Sequence, residues 1–268
     1  MIDERSAGPA LVRVAQRHVD HRLKRRDAPG QEISRRGEAR LSLDEELCRR
    51  MADHHHAAPA LQDDAGLRAQ YRELKRRTAE LYRSITTEAG ITVRPWTSPG
   101  QPYRDSRDLR RRVRSSGVLW VYPTRAGHGP SRATDGRHPM REPSGVRADG
   151  VELCHNDLFR AVHDVFGHLM FGHGFGPAGE FRAAFCQMAL YPPDVHPVLF
   201  TEQVGQVAWF FYGPHLRLRD GRLPRRGEPG YVPPHHRPYP QQKVFRFAEE
   251  FVEAFPRMFD LGATREES

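Results

Sequence analysis

The segment from Asn156 to His173, NDLFRAVHDVFGHLMFGH, combines a helix pattern with three histidines. Its apolar residues recur at steps of three and four, which predicts a helix with one face in the core. Asn156 is a suitable N-cap, and the helix is expected to end at Gly167 or in the glycine-rich stretch that follows. Histidines on a core-facing helix need partners, because an unpaired buried imidazole is costly. The segment therefore predicts a helical core with a polar site inside it.

Two of these histidines, His163 and His168, are five residues apart, which separates them by roughly 140° on a straight α-helix. They can share a metal ion only if the helix ends, bulges or turns between them, and Gly167 is where we expect this change. Asp164 and His168 lie on one helix face without distortion. Two ligand pairs are therefore open, His163 with His168 or Asp164 with His168, and each lacks a further carboxylate. Hydrogen-bonded core histidines without a metal are the alternative.

Two later segments can supply that carboxylate. The sequence GEFRAAFCQMAL predicts a helix with Glu180 in its first turn. The sequence TEQVGQVAWFFYG predicts another helix, on which Glu202, Gln206 and Trp209 share one stripe. Packing does not explain a carboxylate on the inward stripe of an apolar helix. Glu202 is therefore predicted to be the third metal ligand, with a role as an N-terminal capping carboxylate as the alternative.

The sequence thus predicts a metal centre with three ligands: His163, His168 and Glu202. Three further polar residues are predicted to take part in catalysis around the metal, with either of the two carboxylates orienting an imidazole N–H: Asp164, Glu180 and Gln206. Two histidines and a carboxylate without cysteine favour iron(II), with manganese or zinc as alternatives. Iron(II) in this arrangement activates O2, whereas zinc activates water for hydrolysis. The spacing in HDVFGH differs from the HExxH pattern of zinc proteases.

The charge balance bears on nucleic-acid binding. The 268 residues include 42 Lys and Arg and 34 Asp and Glu, for a net charge of +8, which is compatible with a nucleic-acid partner. Most of these basic residues are arginine, as in proteins from GC-rich genomes, so nucleic acid is not the favoured partner. The three cysteines are scattered, which fits a reducing compartment. No apolar run reaches the ~20 residues of a membrane span, and no signal peptide is recognisable, so we expect a cytoplasmic protein.

The chain is expected to divide at residue 60. Residues 1–60 are highly charged and predict a basic arm, partly disordered or helical. Residues 61–268 predict a single metal-binding domain. This domain is expected to be mainly helical (α+β), with a small two-stranded β element formed by residues 91–96 and 118–123.

The stretch 124–150 is rich in Gly, Pro and Arg and predicts a long loop that covers the site. Its arginines, Arg141 among them, are expected to bind a carboxylate of a small-molecule substrate. Trp209 is expected to bound the substrate pocket. His128 and His138 are minor ligand candidates.

Two resemblances to known families bear on the function. HDVFGH at 163–168 resembles the H-[DE]-x-x-G-H iron-ligand motif of the pterin-dependent aromatic amino acid hydroxylases. In that family a glutamate in an F-T-x-E context is the third ligand; the stretch FTEQ at 200–203 comes close, with its carboxylate one position early. Several segments, among them VLWVYPTRAG, NDLFRAVHDVFGH and TExxGQ, resemble a domain of uncharacterised bacterial proteins and phage polyproteins. That domain has no assigned activity. Its pattern implies that Glu202, rather than Gln203, is the functional residue of the site.

The sequence therefore predicts a non-heme metal-dependent enzyme, an iron(II) oxygenase or hydroxylase of the monooxygenase type that acts on a small aromatic or amino-acid-like substrate. The residues do not indicate whether a pterin or another reductant takes part. A zinc-dependent hydrolase with the same ligands is the first alternative. A non-catalytic module that binds nucleic acid or another partner is the second alternative, and it predicts binding that weakens steeply with salt.

Overall fold

The structure, a computed structural model, describes residues 7–24, 30–126 and 137–262. Helices dominate these ranges, which confirms the mainly helical fold predicted from the sequence. The helices are α1 (Ala7–Arg22), α2 (Glu32–Glu38), α3 (Glu45–Ala57), α4 (Ala65–Thr87), α5 (Ser106–Ser116), α6 (His155–His163), α7 (Pro177–Met188), α8 (His196–Glu202), α9 (Val204–Tyr212) and α10 (Glu249–Ala254). The strands are β1 (Arg40–Leu41), β2 (Thr92–Pro95), β3 (Val118–Val121), β4 (Pro143–Ala148), β5 (Val151–Cys154) and β6 (Phe259–Asp260).

The described part of residues 1–60 is helical and belongs to the core. Leu11 on α1, Ile33 on α2 and Met51 on α3 are at most 2% exposed, and they share one hydrophobic cluster with the later helices. Helix α3 packs along α9, and β1 pairs with β6. The sequence predicted a basic arm here, partly disordered or helical; the described residues are helical and pack in the core. Its apolar residues are sparse among many charges, but they lie on faces that dock against the rest of the protein.

The strand pair predicted from residues 91–96 and 118–123 is present. Strands β2 and β3 are parallel neighbours, and Val93 lies opposite Leu119 with both side chains buried. Helix α5 connects the two strands, as a parallel pair requires a crossover connection. The pair lies against the helical core through these apolar side chains.

A β-hairpin occupies part of the stretch that was predicted to be a long loop. Strands β4 and β5 are antiparallel and are joined by Asp149 and Gly150, whose φ angles are 47° and 76°. Two positive φ values suit the tight turn that matches the twist of a hairpin, and Asp-Gly is a preferred sequence for it. The loop prediction is therefore wrong for these residues. Residues 127–136 of the same stretch, including His128, lie outside the described residues.

A break at Gln203 separates α8 from α9. The sequence predicted one helix over residues 201–213, but Gln203 has φ −131° and ψ −74° and ends the first helix while it begins the second. The side chains before and after the break therefore do not follow one helical stripe. Within the described ranges, no helix combines the length and apolarity that a membrane crossing requires.

Candidate metal centre

The helix that carries the histidines changes its geometry at His163. Helix α6 ends there, and Asp164–Leu169 form a π-helix. In a π-helix a backbone N–H bonds to the carbonyl five residues earlier, as Met170 N does with Val165 O at 2.9 Å. This turn brings residues five apart onto one face, and the Nε2 atoms of His163 and His168 lie 2.9 Å apart. The distortion that a shared pair of histidine ligands requires is therefore present.

Two glycines allow segments of the protein to pack closely around this helix. A Cβ added at Gly167 would lie 2.9 Å from the Cβ of Ala183 on α7 and 3.2 Å from Nδ1 of His163. A Cβ added at Gly179 would lie 2.0 Å from the carbonyl oxygen of Gly174, so the loop before α7 folds back over the start of that helix. The first approach places α7 directly against the histidine helix, and the second places the preceding loop against the start of α7.

Glu180, in that first turn, supplies the carboxylate of the cluster. Its Oε2 lies 3.2 Å from Nε2 of His163 and 3.5 Å from Nε2 of His168. All three atoms lie within 4.8 Å of one another. Within the part of the chain that the structure describes, no other group of His, Cys, Asp and Glu side chains is close enough to hold one metal ion.

The spacing of these three atoms fits one divalent ion. At a metal–ligand distance of about 2.0–2.1 Å, two ligands at right angles lie ~2.9 Å apart, and two at a tetrahedral angle lie ~3.4 Å apart. The observed separations of 2.9, 3.2 and 3.5 Å lie close to these limits. Three such ligands occupy one face of an ion and leave its other positions to water, O2 or substrate.

Hydrogen bonds at Nδ1 orient both imidazoles. Nδ1 of His168 donates to the carbonyl oxygen of His173 at 3.0 Å, which leaves a lone pair on its Nε2. Nδ1 of His163 faces Oε1 of Gln187 at 3.0 Å and Nε2 of Gln203 at 2.7 Å. A proton on this Nδ1 is donated to Gln187 and leaves Nε2 free for a metal, whereas the other tautomer accepts from Gln203. Because two lone pairs 2.9 Å apart repel, the two Nε2 atoms share either a proton or a metal ion.

The charges in the cluster pair a carboxylate with imidazoles. Burial raises the pKa of Glu180, but His168 and His163 outweigh this effect and hold its pKa well below the ordinary value. Burial lowers the pKa of His168, but Glu180, Asp164 and the carbonyl of His173 outweigh it, so the net shift of this pKa is upward. The cluster therefore presents an ionised carboxylate and attracts positive charge.

Asp164 does not orient an imidazole among the described contacts, although the sequence predicted this role for it or for Glu180. It is half-buried, and burial raises its pKa, while His163 and His168 act in the opposite direction. Gln187 and the carbonyl of His173 bond to the imidazole nitrogens instead. The sequence analysis did not identify Gln187 as a site residue. A polar amide inside the apolar run FCQMAL could have indicated it.

Glu202 belongs to a different polar cluster. Its Oε1 accepts a hydrogen bond from the Tyr71 hydroxyl at 2.6 Å and lies 3.5 Å from Nε2 of His138. Its Oε2 is buried and has no hydrogen-bond partner among the described residues. Burial raises the pKa of Glu202 to about 8, against a smaller opposing effect of the Tyr71 hydrogen bond. The helix break turns Glu202 toward α4, and the carboxylate that lies beside the two histidines is that of Glu180.

A pocket of about 330 Å³ adjoins the cluster. Phe175 links the two, because its ring packs edge-on against the ring of His168 at 4.8 Å and also lines the pocket. The lining is mostly aromatic and apolar, with a few polar groups, and comprises Arg160, Phe175, Glu180, Gln206, Val207, Phe210, Phe211, Tyr239, Pro240 and Gln242. Gln206, one of the predicted catalytic residues, is therefore at the pocket wall.

The two residues predicted to bind substrate take other positions. Arg141 lies behind the wall, where its Nε donates to Oε1 of Gln242 at 3.3 Å. Trp209 donates from Nε1 to Nδ1 of His56 at 3.2 Å, and its ring stacks on His215 at 3.9 Å. Neither residue lines the pocket beside the cluster. The arginine in the pocket wall is Arg160. It lies three positions before the predicted ligand His163 on the same helix, and this spacing could have identified it from the sequence.

No family model, curated protein or solved structure matches this chain in comparisons with known proteins. The chemistry of the site, rather than a relative, therefore has to identify the function.

Proposed function

We propose that the protein is a non-heme iron(II) oxygenase of the monooxygenase type, with His163, His168 and Glu180 as the metal ligands. The observation that carries the proposal is the convergence of two imidazole nitrogens and one carboxylate oxygen beside an apolar pocket. Two histidines and one carboxylate on one face are the donor set of non-heme iron(II) oxygenases. Bound iron(II) supplies the activation of O2.

The pocket favours a small aromatic substrate. Phe175, Phe210, Phe211 and Tyr239 provide aromatic surface within about 330 Å³, a volume at the lower end for small-molecule sites. Aromatic rings of a substrate pack against such side chains in edge-on or offset geometry.

Arg160 favours a substrate with a carboxylate. Its Nη1 donates to the carbonyl oxygen of Tyr122 at 3.0 Å, and no acidic side chain forms an ion pair with it among the described residues. Burial lowers the pKa of Arg160, and the charges of Asp157 and Asp164 oppose that shift. A partly desolvated guanidinium in a pocket wall binds a carboxylate through charge-assisted hydrogen bonds. An aromatic amino acid or an aryl carboxylic acid meets both requirements.

A zinc-dependent hydrolase is the second candidate, and the composition of the pocket wall disfavours it. Hydrolysis by zinc-bound water requires a base close to that water. Within the described part of the chain, Glu180 is the one carboxylate in the lining and no histidine is present there. Because Glu180 is used as a ligand, the pocket lacks a separate base.

Metal analysis of two matched variants tests the proposal. Glu180→Gln and Glu202→Gln each replace a carboxyl group, half-buried in the first case and buried in the second, with an amide of the same shape. Untagged protein, purified without oxygen, is expected to contain one iron ion per chain in the wild type and in Glu202→Gln. The metal is expected to be lost in Glu180→Gln, while circular dichroism shows that the variant remains folded.

The same samples distinguish the alternatives. If iron is present in the wild type and in Glu202→Gln but lost in Glu180→Gln, oxygen consumption is then measured with aromatic amino acids and aryl carboxylates. A pterin or ascorbate serves as the reductant. Zinc that follows the pattern would favour the hydrolase. Wild-type protein without metal, or metal lost in Glu202→Gln but not in Glu180→Gln, would refute the ligand assignment. The first of these results would favour the non-catalytic module, whose binding to nucleic acid should depend steeply on salt.

A further inference from the structure

We infer that the protein has a second ligand site, for a small organic oxyanion, in a cavity formed by α4, residues 61–63 and residues 137–142. The cavity measures about 530 Å³ and shares no lining residue with the pocket beside the metal centre. This volume lies within the range of small-molecule sites in proteins. This cavity is separate from the site that defines the proposed function.

The floor of the cavity is apolar. Leu67 and Tyr71 of α4, both 1% exposed, form it together with Leu61, Pro139 and Val244. An apolar floor of this kind stabilises the hydrocarbon or aromatic body of an organic molecule by removing its surface from water. It does not stabilise an inorganic ion, which has no apolar surface to remove from water.

The rim of the cavity is cationic. Four cationic side chains and two carboxylates line it, which leaves an excess of two positive charges. The two carboxylates are engaged in the ion pairs Arg68–Asp63 and Lys75–Glu142. Arg72 and Arg137 are exposed and form no ion pair or side-chain hydrogen bond among the described residues. Guanidinium groups without an ion pair are suited to bind a carboxylate or a phosphate monoester.

An unsatisfied buried atom lies behind the floor. The Tyr71 hydroxyl donates to Oε1 of Glu202 at 2.6 Å, and Oε2 of the same carboxyl group is buried without a hydrogen-bond partner among the described residues. Unsatisfied buried polar atoms are uncommon, and they occur where a ligand or water completes a site. Tyr71 therefore connects the cavity to a carboxyl group with one oxygen unsatisfied among the described residues.

Calorimetric titration of the full chain tests this site. The probes are benzoate and phenyl phosphate. Inorganic phosphate, which lacks an aromatic ring, is the control for the apolar floor, and benzyl alcohol, which lacks a negative charge, is the control for the cationic rim. Each titration is run with Arg160→Gln as well as wild type, because binding in the pocket beside the metal centre would be weakened in that variant and binding in this cavity would not. Benzoate or phenyl phosphate is expected to bind saturably to both proteins, and both control probes are expected to bind more weakly.

Arginine variants locate the binding. Arg72→Gln and Arg137→Gln are each expected to weaken it about tenfold, the size of one lost charge-assisted hydrogen bond. Arg83→Gln removes the same charge from an exposed position of α4 outside the cavity and is expected to change nothing. The site is refuted by an absence of saturable binding of both aromatic anions. Equal weakening in all three arginine variants, or unchanged binding in the two cavity variants, also refutes it. Inorganic phosphate that binds as tightly as phenyl phosphate would overturn the role of the floor.

Discussion

Replacing Glu202 with glutamine is expected to flatten the pH dependence of the protein's stability. The Glu202 side chain is 1% exposed and accepts a hydrogen bond from the Tyr71 hydroxyl at Oε1, while its Oε2 has no partner among the described residues. Burial raises its pKa from an ordinary value of 4.5 to about 8. The folded protein therefore retains a proton at neutral pH that the unfolded chain has released.

The size and sign of the effect follow from this difference in pKa. Between the two values, the free energy of unfolding falls by about 1.4 kcal/mol for each unit that the pH rises. The stability contribution is fully present below pH 4.5 and is lost as the pH rises toward 8. At pH 7 the loss amounts to roughly 3 kcal/mol. In Glu202→Gln the amide has no proton to release and keeps an oxygen that accepts from Tyr71, so this loss is absent.

Urea unfolding of the wild type and the variant between about pH 5 and 7 measures the effect. The free energy of unfolding of Glu202→Gln minus that of the wild type is expected to increase by about 1 kcal/mol per pH unit. Glu250→Gln, at an exposed glutamate, serves as the control and should parallel the wild type. Parallel curves for Glu202→Gln and wild type would show that Glu202 is ionised in the folded protein. That result would refute the reasoning and restore Glu202 as a candidate ligand.

Three further predictions concern the metal centre and the core. Gly167→Ala is expected to cost roughly 1–3 kcal/mol and to weaken metal binding about tenfold or more, because its Cβ would lie 2.9 Å from a neighbouring side chain. Unfolding and metal titration check this, with Gly176→Ala, whose Cβ would meet nothing within 4 Å, as the control. Iron at about 100 times its Kd is expected to add ~2.7 kcal/mol of stability, measured as a rise in Tm that a chelator reverses and that Glu180→Gln lacks. Lys243→Met is expected to cost roughly 2–3 kcal/mol in urea unfolding, because the buried ammonium donates to three carbonyl oxygens at the end of α3 at 2.6–2.9 Å; an unchanged midpoint would contradict this.

Local patterns in the chain account for most of the helices and for one strand pair. The apolar periodicity of residues 64–89 predicts α4, whose cap is the Asp64 side chain bonded to Leu67 N at 2.9 Å. The hairpin of β4 and β5 could also have been predicted, because Asp149-Gly150 is a strong turn signal between two short runs. These features depend on residues a few positions apart, and short-range interactions are visible in a sequence.

The sequence by itself determined that His163 and His168 lie on a buried helix, and that they can meet only if that helix departs from α geometry. The tertiary structure alone decided that a π-helix brings them together and that Glu180, rather than Glu202, completes the group. The reason is geometric. One residue of helix turns a side chain by about 100°, so the π-helix and the break at Gln203 redirect side chains in a way that a regular pattern does not reveal. Both irregularities are stabilised by contacts with distant parts of the chain, and the order of residues does not disclose those contacts.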